Sequence, residues 1–132
     1  MATRLEPGQG ISVQIDARKK WNATGIELCK GCLYQFEVSG EWCDAKIKCG
    51  PSGYESPNVI LRWTERMRRV PNANWFSLIG ALDSKPLSQF VIGKSANLAM
   101  AESGLLTCFA NDLDFMYWNN HGSVVLEIRR MK

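Results

Sequence analysis

Between residues 111 and 123 the chain gathers oxygen donors in a short space: Asp112 and Asp114, then the adjacent Asn119 and Asn120, closed by Gly122 and Ser123. A hard cation such as Ca2+ takes about six to eight oxygens at roughly 2.3–2.6 Å, drawn from carboxylates, amides and backbone carbonyls. One or two carboxylates beside two neutral amides make a low-charge set, which weakens affinity and leaves coordination positions open. The same residue types also build ordinary turns, because Asp, Asn and Gly tolerate left-handed backbone and cap themselves. An EF-hand is excluded, since Met116 and Tyr117 stand where its third acid and its glycine belong. Within the loop, Tyr117 or Trp118 could lay an aromatic face against the C–H surface of a ligand. His121 is the sole histidine and reads as a loop or outer-sphere residue. No serine or cysteine is tied to it by a motif, so a nucleophilic triad has no support. Asp112 and Asp114 lie too close in sequence to be assigned as a glycosidase pair. The chain reads as non-enzymatic.

The elements that must hold this loop are strand-like. Residues 104–110 precede it and 123–129 follow it, both apolar runs of strand length. Residues 11–15 alternate as a half-buried strand does, and 25–29 with 32–39 read as a strand pair around the Lys30, Gly31 turn. Further strands are expected at 59–63, 75–82 and 89–92. About eight short strands separated by Gly, Pro and Asn signals predict an all-β sandwich or jelly roll. Two helical exceptions are weighed: 96–102, a run of good helix formers, and 62–69, which Pro71 would stop. At 132 residues the chain (1–132) reads as one domain with a core of its own. Hydrophobic residues make up 45% and charged residues 22%, ordinary for a globular protein.

The spacing of Asp112, Asn119 and Asn120, followed by Gly122, Ser123 and a hydrophobic strand, resembles the calcium-dependent galactophilic lectins of the PA-IL type. The likeness extends along most of the chain. It takes in Trp75 through Gly80 to Leu82, then Phe90, Val91, Ile92 and Gly93, then Gly104, Leu105 and Leu106. Upstream, Gly25 to Leu28, Gly40, Glu41 and Trp42, and Gly50, Pro51, Ser52 and Gly53 stand in similar relative places. The resemblance implies a galactose-binding-domain-like jelly-roll sandwich and a bound Ca2+ whose shell two vicinal sugar hydroxyls complete. By the same resemblance, Asp112, Asn119 and Asn120 supply side-chain oxygens to the ion. Met116 supplies a backbone carbonyl, and Asp44 or a neighbour a second one. The sugar-side residues would be Asp112, Asn119 and Asn120 again, with Tyr117, Trp118 and His121 beside them. The implied partner is a carbohydrate, galactose-like in the family. A homo-oligomer would suit such a lectin, because weak single sites gain from multivalency. The chain departs from the family after Gly53: the stretch through Tyr54, Glu55, Ser56, Pro57 and Asn58 contains no histidine, and the segment before Trp75 is longer.

Five cysteines admit two readings. Cys29 and Cys32 form a Cys-x2-Cys pair that could ligate zinc with Cys43 and Cys49. Alternatively all are structural or free thiols, with a Cys43–Cys49 disulfide only in an exported protein, and Cys108 a small core residue. The N-terminal residues lack an apolar signal core, and no apolar run reaches transmembrane length. The expectation is a cytoplasmic protein, or one exported by a non-classical route. Arg62, Arg66, Arg68 and Arg69 near Trp63 and Trp75 raise a nucleic-acid reading. Glu65 interrupts the run and the net charge is only +3, so a solvated face is preferred and no nucleic-acid partner is expected. Two functions remain. One is a calcium-dependent lectin or carbohydrate-binding module; the other is a non-catalytic scaffold or protein-interaction sandwich without sugar binding.

Overall fold

A computed structural model describes residues 2–55 and 67–132. The strand expected at 59–63, and Ser56, Pro57, Asn58, Arg62, Trp63 and Arg66, lie outside the described residues. So does most of the helix weighed over 62–69. Among the described residues there are twelve strands and short 3-10 turns at Pro86–Ser88 and Tyr117–Asn119, with no α-helix, and no helix long and apolar enough to cross a membrane. The strands are β1 (Thr3–Arg4), β2 (Gly10–Asp16), β3 (Asn22–Leu28), β4 (Leu33–Ser39), β5 (Trp42–Asp44), β6 (Ile47–Cys49) and β7 (Ser52–Tyr54). Then follow β8 (Trp75–Leu82), β9 (Phe90–Val91), β10 (Ser95–Ala99), β11 (Gly104–Ala110) and β12 (Asn120–Arg130). One sheet runs β1-β3-β11-β8-β7, with β9 also on β8. The other runs β10-β4-β12-β5-β6, with β2 along the free side of β12. The chain is an all-β sandwich.

Alternation explains the second sheet. In β4, Tyr34, Phe36 and Val38 are buried while Glu37 and Ser39 are exposed; in β12, Val124, Leu126 and Ile128 are buried between exposed Val125, Glu127 and Arg129. These inward residues and Ile15 of β2 meet Ile26 and Leu28 of β3, Leu106 and Cys108 of β11, and Phe76 and Leu78 of β8 in one core. Each large side chain so buried contributes roughly 1.5–3 kcal/mol. β8 breaks the alternation, with every residue buried. Its outer face, with Phe109 of β11, is covered by Val70, Ala73 and Trp21, which form a second small core around Ile79 and Phe109.

Three expectations need correction. Among the described residues the strands number twelve rather than about eight: residues 42–54 fold into three strands of three residues each, too short to show a period, and β1 and β10 add two that were not expected. Residues 96–99 are strand and not helix: β10 pairs antiparallel with β4, Ala96 opposite Phe36 and Leu98 opposite Tyr34, and this pairing overrides local propensity. Finally, β3 and β4 do not pair with each other. The turn at Lys30 and Gly31 carries the chain from one sheet to the other.

Candidate functional site

The start of one strand, the end of another and one loop bring the donors together. β12 begins at Asn120 and pairs antiparallel with β5, placing Asn120 opposite Asp44, His121 opposite Cys43 and Gly122 opposite Trp42. Directly opposed residues share a face of the sheet, so the Asp44 and Asn120 side chains stand side by side. Asp112 leaves β11 and is 3% exposed. Asn119 ends the 3-10 turn Tyr117–Asn119. Asp112 Oδ2, Asn119 Oδ1 and Asn120 Oδ1 are all buried with no hydrogen-bond partner. One such orphan costs about 1–3 kcal/mol; three within nine residues mark a place built for something that supplies positive charge or donors.

Two of these side chains are tied at their other end, which fixes their orientation. Asp112 Oδ1 accepts the Leu113 N–H at 2.7 Å, and Asn120 Nδ2 donates to the Ala17 carbonyl at 3.0 Å. Asp112 and Asn120 thus each have one end tied down and one oxygen free. Tyr54 of β7 donates its hydroxyl to Asp44 Oδ2 at 2.5 Å. Burial, and then the nearby Asp44 charge, push the Asp112 carboxyl up to about 7, against the opposing pull of the Leu113 N–H and Asn120. Burial also raises Asp44, against the Tyr54 hydrogen bond. The Tyr54 phenol is raised as well, by burial first and then by Asp44. A buried carboxyl whose pKa is held up by burial and by a neighbouring carboxylate is one whose ionised form a cation would favour.

The loop is held from outside by Arg69. Its backbone N–H donates to the Asp112 carbonyl at 3.1 Å. Its guanidinium lies 3.4 Å from the Phe109 ring centre, 4.4 Å from Trp21 and 5.5 Å from Tyr117. Nη1 donates to the Lys20 carbonyl at 2.6 Å and to the Tyr117 hydroxyl at 2.8 Å, and Nε lies 3.5 Å from Asp114. Beneath the loop, Asn111 is fully buried. Its Nδ2 donates to the carbonyls of Val70, Ala73 and Asn74, and its Oδ1 accepts the Val70 N–H. Phe76, whose N–H donates to the Asn111 carbonyl at 2.7 Å, sits at φ 62. That conformation is a genuine outlier for a bulky residue and is of the kind that gathers near functional sites. β7 can approach it only because Gly53, at φ +74, has no Cβ: one added there would overlap the Trp75 carbonyl and lie 2.5 Å from the Ser77 nitrogen.

Of the residues singled out in the sequence, Asp112, Asn119, Asn120 and Asp44 are brought together. Met116 is half-buried in the same loop, between Asp112 and the 3-10 turn. Trp118 is exposed, at 66%, and so is Phe115, at 64%; both project from the loop that carries the donors. Tyr117 does not offer a face to a ligand, because it is buried, donates its hydroxyl to the Ala110 carbonyl at 2.7 Å and packs under Arg69. His121 is also set apart. β12 turns it to the outer face opposite Asn120, where it lines a polar cleft of about 450 Å³ with Gln14, Arg18, Lys19 and Ser123. Sequence reasoning missed the roles of Tyr54 and Arg69, which come from other segments and carry no motif, and of Asn111, which adjoins Asp112 but whose partners lie in the 70–74 segment. Phe115 was open to inspection as a second exposed aromatic of the loop. Arg68 and Arg69 are not a solvated basic face: Arg69 is caged, and Arg68 lies 5.2 Å from the Trp75 ring centre. Zinc is not supported by the cysteines, since no group of three His, Cys, Asp or Glu among the described residues is placed to hold a metal.

The architecture is an all-β sandwich of two sheets. Among solved structures, the N-terminal domain of EclA, a PllA-like lectin, matches with a TM-score of 0.69 over 90% of this chain and 94% of that one, at 20% identity. At that identity the likeness establishes the fold. No protein-family model and no curated protein sequence matches the chain.

Proposed function

We propose that the chain is a calcium-dependent carbohydrate-binding protein, and that the Asp112 loop is its binding site. The observation that carries this reading is the set of three buried, unpartnered oxygens of Asp112, Asn119 and Asn120. A lectin with this fold among solved structures supports the carbohydrate class. The donor chemistry fits a hard cation: carboxylate and amide oxygens with nitrogen and sulfur excluded. Asp112, Asn119 and Asn120 would hold Ca2+ through side-chain oxygens, and Met116 and Asp44 through backbone carbonyls. The Asp44 carboxylate, sharing a face with Asn120, adds a second negative charge. When bound, the ion would offer its open positions to a sugar's vicinal hydroxyls.

The chain's own residues do the rest. Ala17 fixes the Asn120 amide so that its oxygen and not its nitrogen faces the cluster. Leu113 does the same for Asp112. Tyr54 holds Asp44, and Arg69 sets the loop at three points. Exposed Trp118 and Phe115 supply apolar faces for the C–H side of a sugar ring, a role aromatic side chains fill through area and polarised edges.

Isothermal titration of Ca2+ into chelator-stripped protein, with Asp112→Ala beside it, tests the reading. Saturable heat in the native chain and none in the variant supports it, and a glycan screen in calcium then names the sugar. No heat in either protein overturns it and favours the protein-interaction sandwich.

A further inference from the structure

Cys29 and Cys32 lie at the opposite end of the sandwich from the donor loop, since β3 starts beside Cys108 and ends beside Gly104. They are the first and last residues of a four-residue turn: the Cys32 N–H donates to the Cys29 carbonyl at 3.1 Å, and Gly31 takes φ +82 at the third position. Such a turn brings its end Cα atoms within about 7 Å, the span a disulfide bridges (up to about 6.8 Å). The turn is rigidly held. Lys30 N–H donates to Ser103 Oγ at 2.7 Å, Gly31 N–H to the Met100 carbonyl at 2.8 Å, and Met100 N–H to the Cys32 carbonyl at 3.0 Å. Both cysteines are half-buried beside the exposed Lys30 and Gly31. Tyr34, fully buried, accepts the Cys29 N–H at 2.9 Å through its hydroxyl, which also lies in reach of the Cys29 thiol and close to Cys32.

The other three cysteines have no such arrangement. Cys108 is fully buried. In the β5–β6 hairpin Cys49 stands opposite Trp42, and Cys43 opposite Lys48. Alternation therefore turns Cys43 and Cys49 to opposite faces, which corrects the expectation that those two could pair.

We infer that Cys29 and Cys32 form a dithiol modification site that exchanges with low-molecular-weight disulfides and closes to an intramolecular disulfide. The Cys29 thiolate attacks one sulfur of the small disulfide, forming a mixed disulfide and releasing one small thiol, which takes up a proton. The Cys32 thiolate then attacks the Cys29 sulfur and releases the second small thiol. Two protein thiols are oxidised to one disulfide, and one small disulfide is reduced to two thiols. Tyr34, whose phenol burial keeps protonated, steadies the Cys29 thiolate by donating a hydrogen bond to it. The reaction closes a bond where the chain passes between sheets, and it needs nothing from the donor loop.

The test is to equilibrate the folded full chain with oxidised and reduced glutathione, without oxygen, then alkylate and measure mass. The expected result is loss of two of the five thiols together, with a mass fall of ~2 Da. Trypsin cuts after Lys30, inside the ring, so the product should be two disulfide-linked peptides. Repeating this in Cys43→Ser excludes a bridge through Cys43. Cys32→Ser and Cys32→Ala should each stop at one glutathione, bound to Cys29. Tyr34→Phe, which keeps the ring's packing, should slow the first step, formation of the mixed disulfide on Cys29, roughly fivefold, the size of one hydrogen bond. A native chain that keeps all its thiols, holds glutathione without closing, or bridges through another cysteine overturns the inference.

Discussion

Asn111 and Asp112 are neighbours in the chain, equally buried, and opposite in character. Asn111 spends every side-chain polar atom on the 70–74 segment. Asp112 is left with a free oxygen, as are Asn119 and Asn120 nearby. The contrast shows that the orphaned oxygens do not come from poor packing, because one residue away the same backbone satisfies a harder case. The fold stabilises the floor of the site so that its lining can be left incomplete. Natural proteins carry such local inconsistencies where function needs them.

Breaking the floor should cost most. Asn111→Leu keeps the volume but strands one N–H and three carbonyls, and chemical denaturation should show a loss of about 3–5 kcal/mol. Breaking the lining should do the reverse. Asp112→Asn is expected to leave stability without the ion unchanged or improved, while calorimetry shows Ca2+ affinity reduced on the order of 100-fold, ~2.7 kcal/mol. Arg69→Lys lies between the two. It keeps the charge but loses the fork that reaches Tyr117 and the Lys20 carbonyl, so Ca2+ binding should weaken by about tenfold, as loss of an outer-sphere support does.

The pH profile sharpens the comparison further. In the ion-free protein Asp112 keeps its proton to about 7, whereas an unfolded aspartate loses it near ~3.9. The folded state therefore binds more protons between these values, and stability falls as pH rises from about 4 to about 7, then levels. Ion binding needs the ionised carboxyl, so Ca2+ affinity should rise with pH through the same window, by up to about tenfold per unit. Urea midpoints should fall with pH without Ca2+ and stay nearly level in saturating Ca2+, because the ion-bound and the unfolded carboxyl are both ionised above about 4; Asp112→Asn should flatten the ion-free profile. The smallest effect is a control at the far end. Asp83 and Ser84 occupy left-handed backbone, φ 53 and 56, in a turn closed by the Lys85 N–H on the Leu82 carbonyl at 3.0 Å. Ser84→Gly removes strain there and should raise the unfolding free energy by ~1 kcal/mol, read from urea denaturation, without touching ion binding.

The sandwich was legible wherever a strand is long enough to show its period, as in β2, β4, β8 and β11. It was illegible in 42–54, where three residues cannot display alternation. The turn at Lys30 and Gly31 announced a reversal but not its destination, since turn residues fix local dihedrals and say nothing of which sheet receives the next strand. At the site, Asp112, Asn119 and Asn120 stood out because one loop holds them all. Asp44 was reached only through resemblance, and its register opposite Asn120 is a long-range fact. Arg69 looked like one more surface cation in a basic run; only the fold reveals that Trp21, Phe109 and Tyr117, from three separate segments, close around it.

Gly53 gives the site a boundary of another sort. With its Cβ position already taken by the backbone of the neighbouring strand, this position admits one letter of the protein alphabet, whatever the rest of the chain becomes. Trp118 and Phe115, facing open solvent at the rim of the same site, could be rewritten freely without touching the frame. Diversity in what such a sandwich recognises has room to accumulate at the rim, while the strand pair behind it is held to a single spelling at this position.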